Sequence, residues 1–180
     1  MFHVVTETML QVIRRIYSRQ ETSGVRRDYF ITSNCVVNMI SGKQYEELLL
    51  PYDRKLSESF QYFGIHNCAW NVNLYLDGYR TIDKLGYLDF GLESDLRRLR
   101  DDFPDTRRCL MYSPVELKEK NLDTIRNDLE RIHDLLSPCE IIITDIEANC
   151  PDKRVADFYS LCGEIWRMEP RELVPKTMSI

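Results

Sequence analysis

The sequence predicts an α/β fold in which helices alternate with parallel strands. Short apolar segments alternate with longer amphipathic ones along the chain, and this pattern favours parallel strands joined by helical crossovers. No glycine-rich phosphate loop follows any of the short segments, so the key motif of a Rossmann or P-loop fold is missing. An open doubly wound sheet and part of a (β/α)8 barrel both satisfy the pattern. The chain has 180 residues, which predicts one domain over 1–180.

The first 60 residues predict two helical regions separated by a strand. Residues 4–17 place apolar side chains at helical spacing: Val5, Met9, Val12, Ile13 and Ile16. Residues 29–32 form a strand-sized apolar segment. Ser41 followed by Gln44 fits a capping box, which predicts a helix from there to about residue 60, bent at Pro51.

The rest of the chain continues the alternation. Further strands are predicted at 63–66, 87–90, 108–112 and 140–144. The last of these is the most apolar and is interpreted as buried on both faces. Further helices are predicted at 73–85 (ended by Gly86), 93–103, 122–136 and 155–168, followed by an irregular tail at 170–180.

Composition and charge exclude several classes of protein. The chain is 43% hydrophobic and 29% charged, which is typical of a globular protein, and no apolar run reaches the ~20 residues of a membrane span. The net charge of −5 disfavours a general phosphate-backbone binder. Arginines cluster between residues 97 and 108, but interleaved acids favour a solvated helix face over a nucleic-acid surface. The amino terminus lacks a signal-peptide layout, so we expect a cytoplasmic protein with reduced thiols.

The sharpest chemical pattern is His66-x-Cys68, at the predicted end of the second strand. Residues i and i+2 of a strand point to one face, and imidazole and thiolate are both ordinary zinc ligands. Cys150, after the last predicted strand, is the natural third ligand, and three protein ligands leave a position free as in catalytic zinc sites. The alternative is a core histidine with inert thiols. Core positions are predicted for Cys109 and Cys162, a structural role is predicted for Cys139 before a buried strand, and packing is favoured for Cys35.

Polar residues at other predicted strand ends suggest further chemistry. Asp145 and Glu147 are two close carboxylates that could share a proton in acid–base catalysis, or could instead cap the next helix or hold a nearby arginine. Asn34 and Asp89 also lie at strand ends, and Trp70 could line a cavity beside them. We therefore predict Asp145 and Glu147 as catalytic residues, and Asn34, Trp70 and Asp89 as residues that contact a cofactor.

Two segments resemble the uroporphyrinogen decarboxylase superfamily. The first is Gln-Tyr-Glu-Glu-Leu-Leu-Leu-Pro-Tyr at 44–52, and the second is Gly-Ile-His-Asn-Cys at 64–68, similar to the family's H-x-C-G strand end. The order of the later segments also matches, so the resemblance covers about residues 5–168. It implies the carboxyl-terminal part of a (β/α)8 barrel, with about five strand–helix units present and the first strands missing.

The family includes two main chemistries. One is metal-free decarboxylation of uroporphyrinogen, and the other is zinc-dependent methyl transfer between a corrinoid protein and a thiol. The resemblance implies zinc on His66, Cys68 and Cys150, with the corrinoid supplied by a partner protein. The sequence departs from the decarboxylases because the loop at 145–151 has no histidine, and because their essential arginine and aspartate lie in the missing half. It also has Ala69 where the family has glycine after H-x-C.

These observations favour zinc-dependent methyl transfer to a thiol. Metal-free tetrapyrrole decarboxylation is the alternative, and a truncated barrel that acts as a non-catalytic assembly module is another. The predicted partners are a corrinoid protein, a small thiol or tetrapyrrole, and either a second copy of the chain or a missing amino-terminal half. Neither nucleic acid nor a membrane is expected as a partner.

Overall fold

The computed structural model describes residues 1–167, in which helices and strands alternate as predicted. The strands of these residues are β1 (Tyr29–Ser33), β2 (Tyr62–His66), β3 (Leu85–Phe90), β4 (Arg107–Met111) and β5 (Glu140–Ile142). The α-helices are α1 (Phe2–Thr22), α2 (Gly42–Leu48), α3 (Leu50–Glu58), α4 (Leu76–Tyr79), α5 (Leu96–Asp102), α6 (Pro114–Glu119), α7 (Leu122–Leu136) and α8 (Asp152–Trp166). The predicted tail at 170–180 lies outside the described residues.

The five strands form one parallel sheet in the order β1-β2-β3-β4-β5. A doubly wound sheet reverses its strand order at a switch point, and this sheet does not, so that alternative is excluded. Right-handed crossovers between strands in sequence order place the connecting helices on one face. The architecture is consistent with part of a barrel. Within residues 1–167, no strand pairs with the outer edge of β1 or β5.

The two faces of the sheet differ in exposure. Ile65, Leu88 and Leu110 are fully buried on the helical face. On the opposite face, Ile31 is 43% and Tyr62 is 57% exposed. This difference arises because successive side chains of a strand alternate between faces and the helices cover one face. The hydrophobic core therefore lies between the sheet and the helices.

The region at 73–85 departs from its prediction. Only α4 is helical there, and Gly86, predicted to end a helix, lies inside β3. The preceding segment is held by tertiary contacts instead, because Asn71 donates to the carbonyl of Glu93 and the Asn73 side chain accepts from the backbone of Asp95.

Three other elements also differ in detail. The capping box at Ser41 is present, but the helix that follows is divided into α2 and α3 at Leu49, two residues before Pro51. Strand β5 has three residues, all of them half-buried, because it lies at the sheet edge; the prediction of burial on both faces is wrong. Helix α6 was not predicted.

The arginine cluster is mostly paired with acids at the surface, as the interleaved charges predict. Arg98 bridges Asp77 and Asp102, and Arg107 pairs with Glu140. Arg108 is the exception because it is buried and donates to three backbone carbonyls, those of Arg100, Phe103 and Pro138. It joins the end of α5 to the segment that enters β5, and its role is structural.

No helix among residues 1–167 combines the length and the apolar character that a membrane crossing requires.

Candidate metal centre

Two neighbouring strand ends form the candidate site. Strands β1 and β2 pair in register, so that Ser33 lies beside His66. Cys35 and Cys68 each follow one of these paired residues by two positions. The same small offset from a shared register therefore places the two thiols side by side at the carboxyl edge of the sheet.

Cys35, His66 and Cys68 form a group whose potential ligand atoms all lie within 4.8 Å of one another. The Cys68 Sγ atom is 3.0 Å from Cys35 Sγ and 3.2 Å from His66 Nε2. All three residues are partly exposed, so an ion or a small molecule can reach them from solvent.

The backbone at Cys68 accounts for this convergence. Strand β2 ends at His66, so Cys68 lies in a turn rather than at the next strand position. Its φ of 58° is in the left-handed region, which costs a non-glycine residue about 1–2 kcal/mol. The predicted meeting of His66 and Cys68 is confirmed, but a strained turn produces it. Such strain is concentrated at functional sites in proteins generally.

Asp89 orients His66 from the buried side. Its Oδ2 atom lies 2.6 Å from His66 Nδ1, and its Oδ1 atom accepts the backbone N–H of Asn67 at 2.7 Å. An ionised carboxylate can only accept hydrogen bonds, so His66 Nδ1 carries the proton and Nε2 presents its lone pair to the thiols. A carboxylate behind a ligating histidine is the usual support of a metal-binding imidazole.

A chain of buried hydrogen bonds extends this support into the core. Asn67 is fully buried and donates its amide to the Asp89 carbonyl, and Tyr79 donates its hydroxyl to the Asn67 side chain at 2.7 Å. Tyr87 donates to Asp89 Oδ2 at 3.1 Å. The orientation of His66 therefore depends on residues of α4 and β3 as well as on its own strand.

The protonation of the cluster follows from its burial and its charges. Burial first, and then Cys35, Asp89 and Asp145, raise the pKa of the Cys68 thiol to about 12. Burial also raises the pKa of Asp89, while hydrogen bonds from His66, Asn67 and Tyr87 oppose that rise. Without a cation, Cys68 is therefore a thiol at neutral pH, and a bound metal would have to displace its proton.

The donor set suits a thiophilic metal. Two sulfurs and one imidazole nitrogen are ordinary ligands of zinc, and their close approach with a fixed histidine tautomer meets what such a site requires. The chain can thus hold a metal ion at Cys35, His66 and Cys68. Three protein ligands leave one position of a tetrahedral set for a substrate.

Cys150, the predicted third ligand, does not belong to this group. It is buried, and it packs in the hydrophobic core. Cys35 takes its place, although packing was favoured for that residue. The missed signal is the offset of two residues from β1, which matches the offset of Cys68 from β2.

The two predicted catalytic carboxylates, Asp145 and Glu147, have different hydrogen-bond partners. Glu147 is exposed and pairs with Lys118 at 2.7 Å, and this hydrogen bond lowers its pKa. Asp145 is exposed and is contacted by the Thr144 hydroxyl at 3.3 Å. Glu147 is therefore paired with a lysine rather than with a carboxylate that shares its proton. The negative charge of Asp145 instead helps to raise the pKa of Cys68.

The three predicted cofactor contacts have different surroundings. Asp89 is buried behind His66 and has no free surface for a cofactor. Asn34 donates its side-chain amide to Asp53 at 3.3 Å and its backbone N–H to the His66 carbonyl. Trp70 is 51% exposed, two residues after Cys68, and is the member of this set that is available to line a pocket.

No protein-family model matches the chain, and no curated protein matches it.

Proposed function

We propose that this chain binds one zinc ion at Cys35, His66 and Cys68, and that the site activates a small thiol for methyl transfer. The observation that carries the proposal is the convergence of two sulfurs on a histidine whose opposite nitrogen is fixed by a buried aspartate. Zinc bound there would hold an acceptor thiol as its thiolate and keep it nucleophilic at neutral pH.

The residues of the chain have distinct roles in this proposal. His66 offers its Nε2 lone pair because Asp89 holds the proton on Nδ1. Cys35 and Cys68 supply the negative charge that a dication needs, and Cys68 releases a proton to do so. The exposed side chain of Trp70 lies beside the site in sequence and offers an apolar wall for the substrate.

The methyl donor in the proposal is a corrinoid carried by a partner protein. This part rests on the resemblance of residues 44–52 and 64–68 to the uroporphyrinogen decarboxylase superfamily and on the presence of a His-x-Cys pair in that context. The third ligand in the structure is Cys35 rather than the predicted Cys150, and either residue would supply a thiolate sulfur.

Metal analysis of the chain, purified under reducing conditions without chelators, tests the proposal. We expect about one zinc per chain, lost in Cys35→Ser, His66→Ala and Cys68→Ser. Cys150→Ser is the matched control, because it removes a buried thiol outside the cluster and should retain zinc. Protein that takes up no zinc when the ion is supplied refutes the proposal. Loss of zinc in Cys150→Ser but not in Cys35→Ser would restore the set predicted from the sequence.

The transfer step is tested separately with methylcobalamin and a small thiol such as 2-mercaptoethanesulfonate. Zinc-loaded protein should form the thioether and release demethylated corrinoid, and His66→Ala protein treated with zinc in the same way should not. A zinc-bound wild type without this activity would retain the metal site and reject methyl transfer.

We also propose that two copies of the chain associate through α1 and the edge of β1. Helix α1 turns Thr6 and Leu10 toward the body, whereas Val5, Val12 and Ile16 are each about half exposed. The apolar face expected from the sequence is therefore largely uncovered. The exposed residues, together with Met9, are spaced by four, three and four positions, which is the seam of a helix pair.

The position of α1 in the fold explains why its apolar face is exposed. Helix α3, between β1 and β2 in sequence, contacts both strands, whereas α1 packs on α3 and reaches β1 through the bond of Tyr17 to the Tyr29 carbonyl. It therefore lies beside the outer edge of β1, which no strand of residues 1–167 pairs with.

A twofold axis would pair the outer edge of β1 and the exposed apolar residues of α1 with the same surfaces of a second copy of the chain. An antiparallel pair of α1 helices also keeps the arginines at 14, 15 and 19 of the two copies apart, which a parallel pair would not.

Light scattering tests the association. We expect twice the mass of the 21.4-kDa chain for the wild type and the single mass for Val12→Glu. Tyr159→Glu, at an equally exposed position on α8, is the control and should remain dimeric. A wild type that stays monomeric at ~0.1 mM would contradict the proposal, since its association would be weaker than about 5.5 kcal/mol.

A further inference from the structure

The two thiols of the candidate site are the closest pair of sulfurs among the contacts of the described residues. Cys35 and Cys68 lie 3.0 Å apart, Sγ to Sγ, and neither is in a disulfide. A disulfide bond is ~2.05 Å long, so the sulfurs must approach by about 1 Å to form one. Both residues lie outside regular elements, after β1 and β2, where the backbone can adjust more easily than inside the sheet.

We propose that Cys35 and Cys68 are a peroxide-reactive dithiol that closes to a reversible disulfide, in competition with the binding of metal. The competition rests on the proposed zinc-binding function, whereas closure of the disulfide is a property of the metal-free chain. Both sulfurs are partly exposed, and their surroundings contain the hydroxyl of Ser33, 2.9 Å from Cys35 Sγ. A small polar oxidant can therefore reach and contact the pair.

The reaction consumes one peroxide for each disulfide. One cysteine attacks a peroxide oxygen as its thiolate, the O–O bond breaks, and a sulfenic acid forms while the released hydroxide takes up the proton of the thiol as water. The second thiol attacks the sulfenic sulfur, the S–O bond breaks, and the S–S bond forms with release of a second water. The two thiols together lose two electrons, the peroxide gains them, and the thiol hydrogens leave in the two water molecules.

The other four cysteines lack such a partner among the contacts of residues 1–167. Cys109 and Cys150 are buried, and Cys139 and Cys162 are half-buried against the core. Oxidation should therefore be selective for the pair at the strand ends. The selectivity follows from the access of peroxide to these two sulfurs and from the second sulfur lying close enough to react with a sulfenic acid.

Closure would also remove the metal site. A sulfur in a disulfide has no thiolate charge to offer a cation, so oxidation of this pair removes two of the three ligands and leaves His66 alone. Conversely, a metal that occupies both sulfurs protects them from peroxide. Reduction by a thiol would restore the site.

The first experiment uses the full chain, stripped of metal with a chelator and treated with one equivalent of hydrogen peroxide. We expect two fewer free thiols out of six, a mass lower by two hydrogen atoms, and a cross-linked peptide pair containing Cys35 and Cys68. Cys35→Ser and Cys68→Ser should each prevent the cross-link. Cys162→Ser, which removes a half-buried thiol elsewhere, should leave it unchanged. Six remaining thiols, or a bond between any other pair, would overturn the proposal.

The second experiment uses zinc-loaded chain and the same oxidant. Zinc should slow disulfide formation at least tenfold, and prolonged oxidation should release the ion to a chromogenic chelator, with rebinding after dithiothreitol. A chain that binds no zinc but still forms the bond refutes the proposed metal site and the competition while keeping the dithiol. A chain that binds zinc but never forms the bond refutes the dithiol alone.

Discussion

Replacing Asp89 by asparagine tests whether a buried carboxylate sets the metal-binding tautomer of His66. The backbone N–H of Asn67 requires an acceptor at the Oδ1 position, so the asparagine oxygen stays there and its amide nitrogen faces His66 Nδ1. That nitrogen can only donate, so Nδ1 must lose its proton and Nε2, which faces the sulfurs, must carry one. The variant therefore favours the tautomer that cannot bind metal.

The size of the effect follows from the hydrogen bond to the ionised Asp89 carboxylate, which supports the metal-binding tautomer in the wild type and which the variant lacks. A hydrogen bond between His66 and an ionised group at this buried position contributes about 1.5–3 kcal/mol. At about 1.4 kcal/mol for each factor of ten, Asp89→Asn should weaken zinc binding about 10- to 100-fold.

The assay is a competition titration against a chromogenic zinc chelator under reducing conditions. Asp128→Asn is the matched control, because Asp128 accepts hydrogen bonds from Tyr112 and Lys120 away from the cluster. Both variants should be folded by circular dichroism, and the control should bind zinc as the wild type does. An Asp89→Asn affinity within twofold of the wild type would refute the reasoning.

Three further predictions follow from pKa shifts and from a close backbone contact. Burial raises the pKa of Cys68 to about 12, so zinc must displace its proton, and zinc affinity should rise at least about tenfold per pH unit from pH 6 to 8; an affinity independent of pH in that competition titration would contradict this. Burial raises the pKa of Asp53 from 3.8 to about 6, so its protonated form favours the fold: this stabilisation is complete below about pH 4 and lost as pH rises through about 6. Urea unfolding should show a loss of up to about 3 kcal/mol from this residue over that interval, absent in Asp53→Asn, and equal pH slopes for the two proteins would rule it out. A Cβ at Gly91 would lie 2.0 Å from the Ala69 carbonyl oxygen, so Gly91→Ala should cost about 1–3 kcal/mol and weaken zinc binding by displacing the turn at Cys68. Gly86→Ala, whose Cβ would make an ordinary contact at 3.5 Å from Tyr62, is the control, and equal urea midpoints for the two variants would contradict the prediction.

The elements that the sequence predicted best are those determined by local interactions. Helix α7 has the predicted bounds because Asn121 caps it and its apolar residues form one buried stripe. The segment at 73–85 was mispredicted because its conformation depends on bonds to residues about 22 positions away, from Asn71 to Glu93 and from Asp95 to Asn73. Such bonds leave no periodic pattern in the sequence.

The sequence predicted only part of the candidate site. His66 and Cys68 are two positions apart in sequence and could be paired by spacing alone. Cys35 could be added only with the knowledge that β1 and β2 are neighbours with Ser33 beside His66. Cys150 was favoured because it follows the last predicted strand and because the resemblance also implies a later cysteine, but it is buried in the core. Strand adjacency and register are tertiary facts, and the choice of Cys35 rather than Cys150 as the third ligand depended on them.

Hydrogen bonds connect Tyr79 through Asn67 and Asp89 to His66. The orientation of His66, at the carboxyl edge of the sheet, therefore depends on the packing of the core. Tyr79 packs edge-on against Tyr45, 5.3 Å between ring centroids, deep in the helical layer. A change in how these aromatic rings fit together would therefore be transmitted as a rotation of one imidazole. The spectrum of a cobalt ion bound beside that imidazole would record it, without any probe being placed in the core.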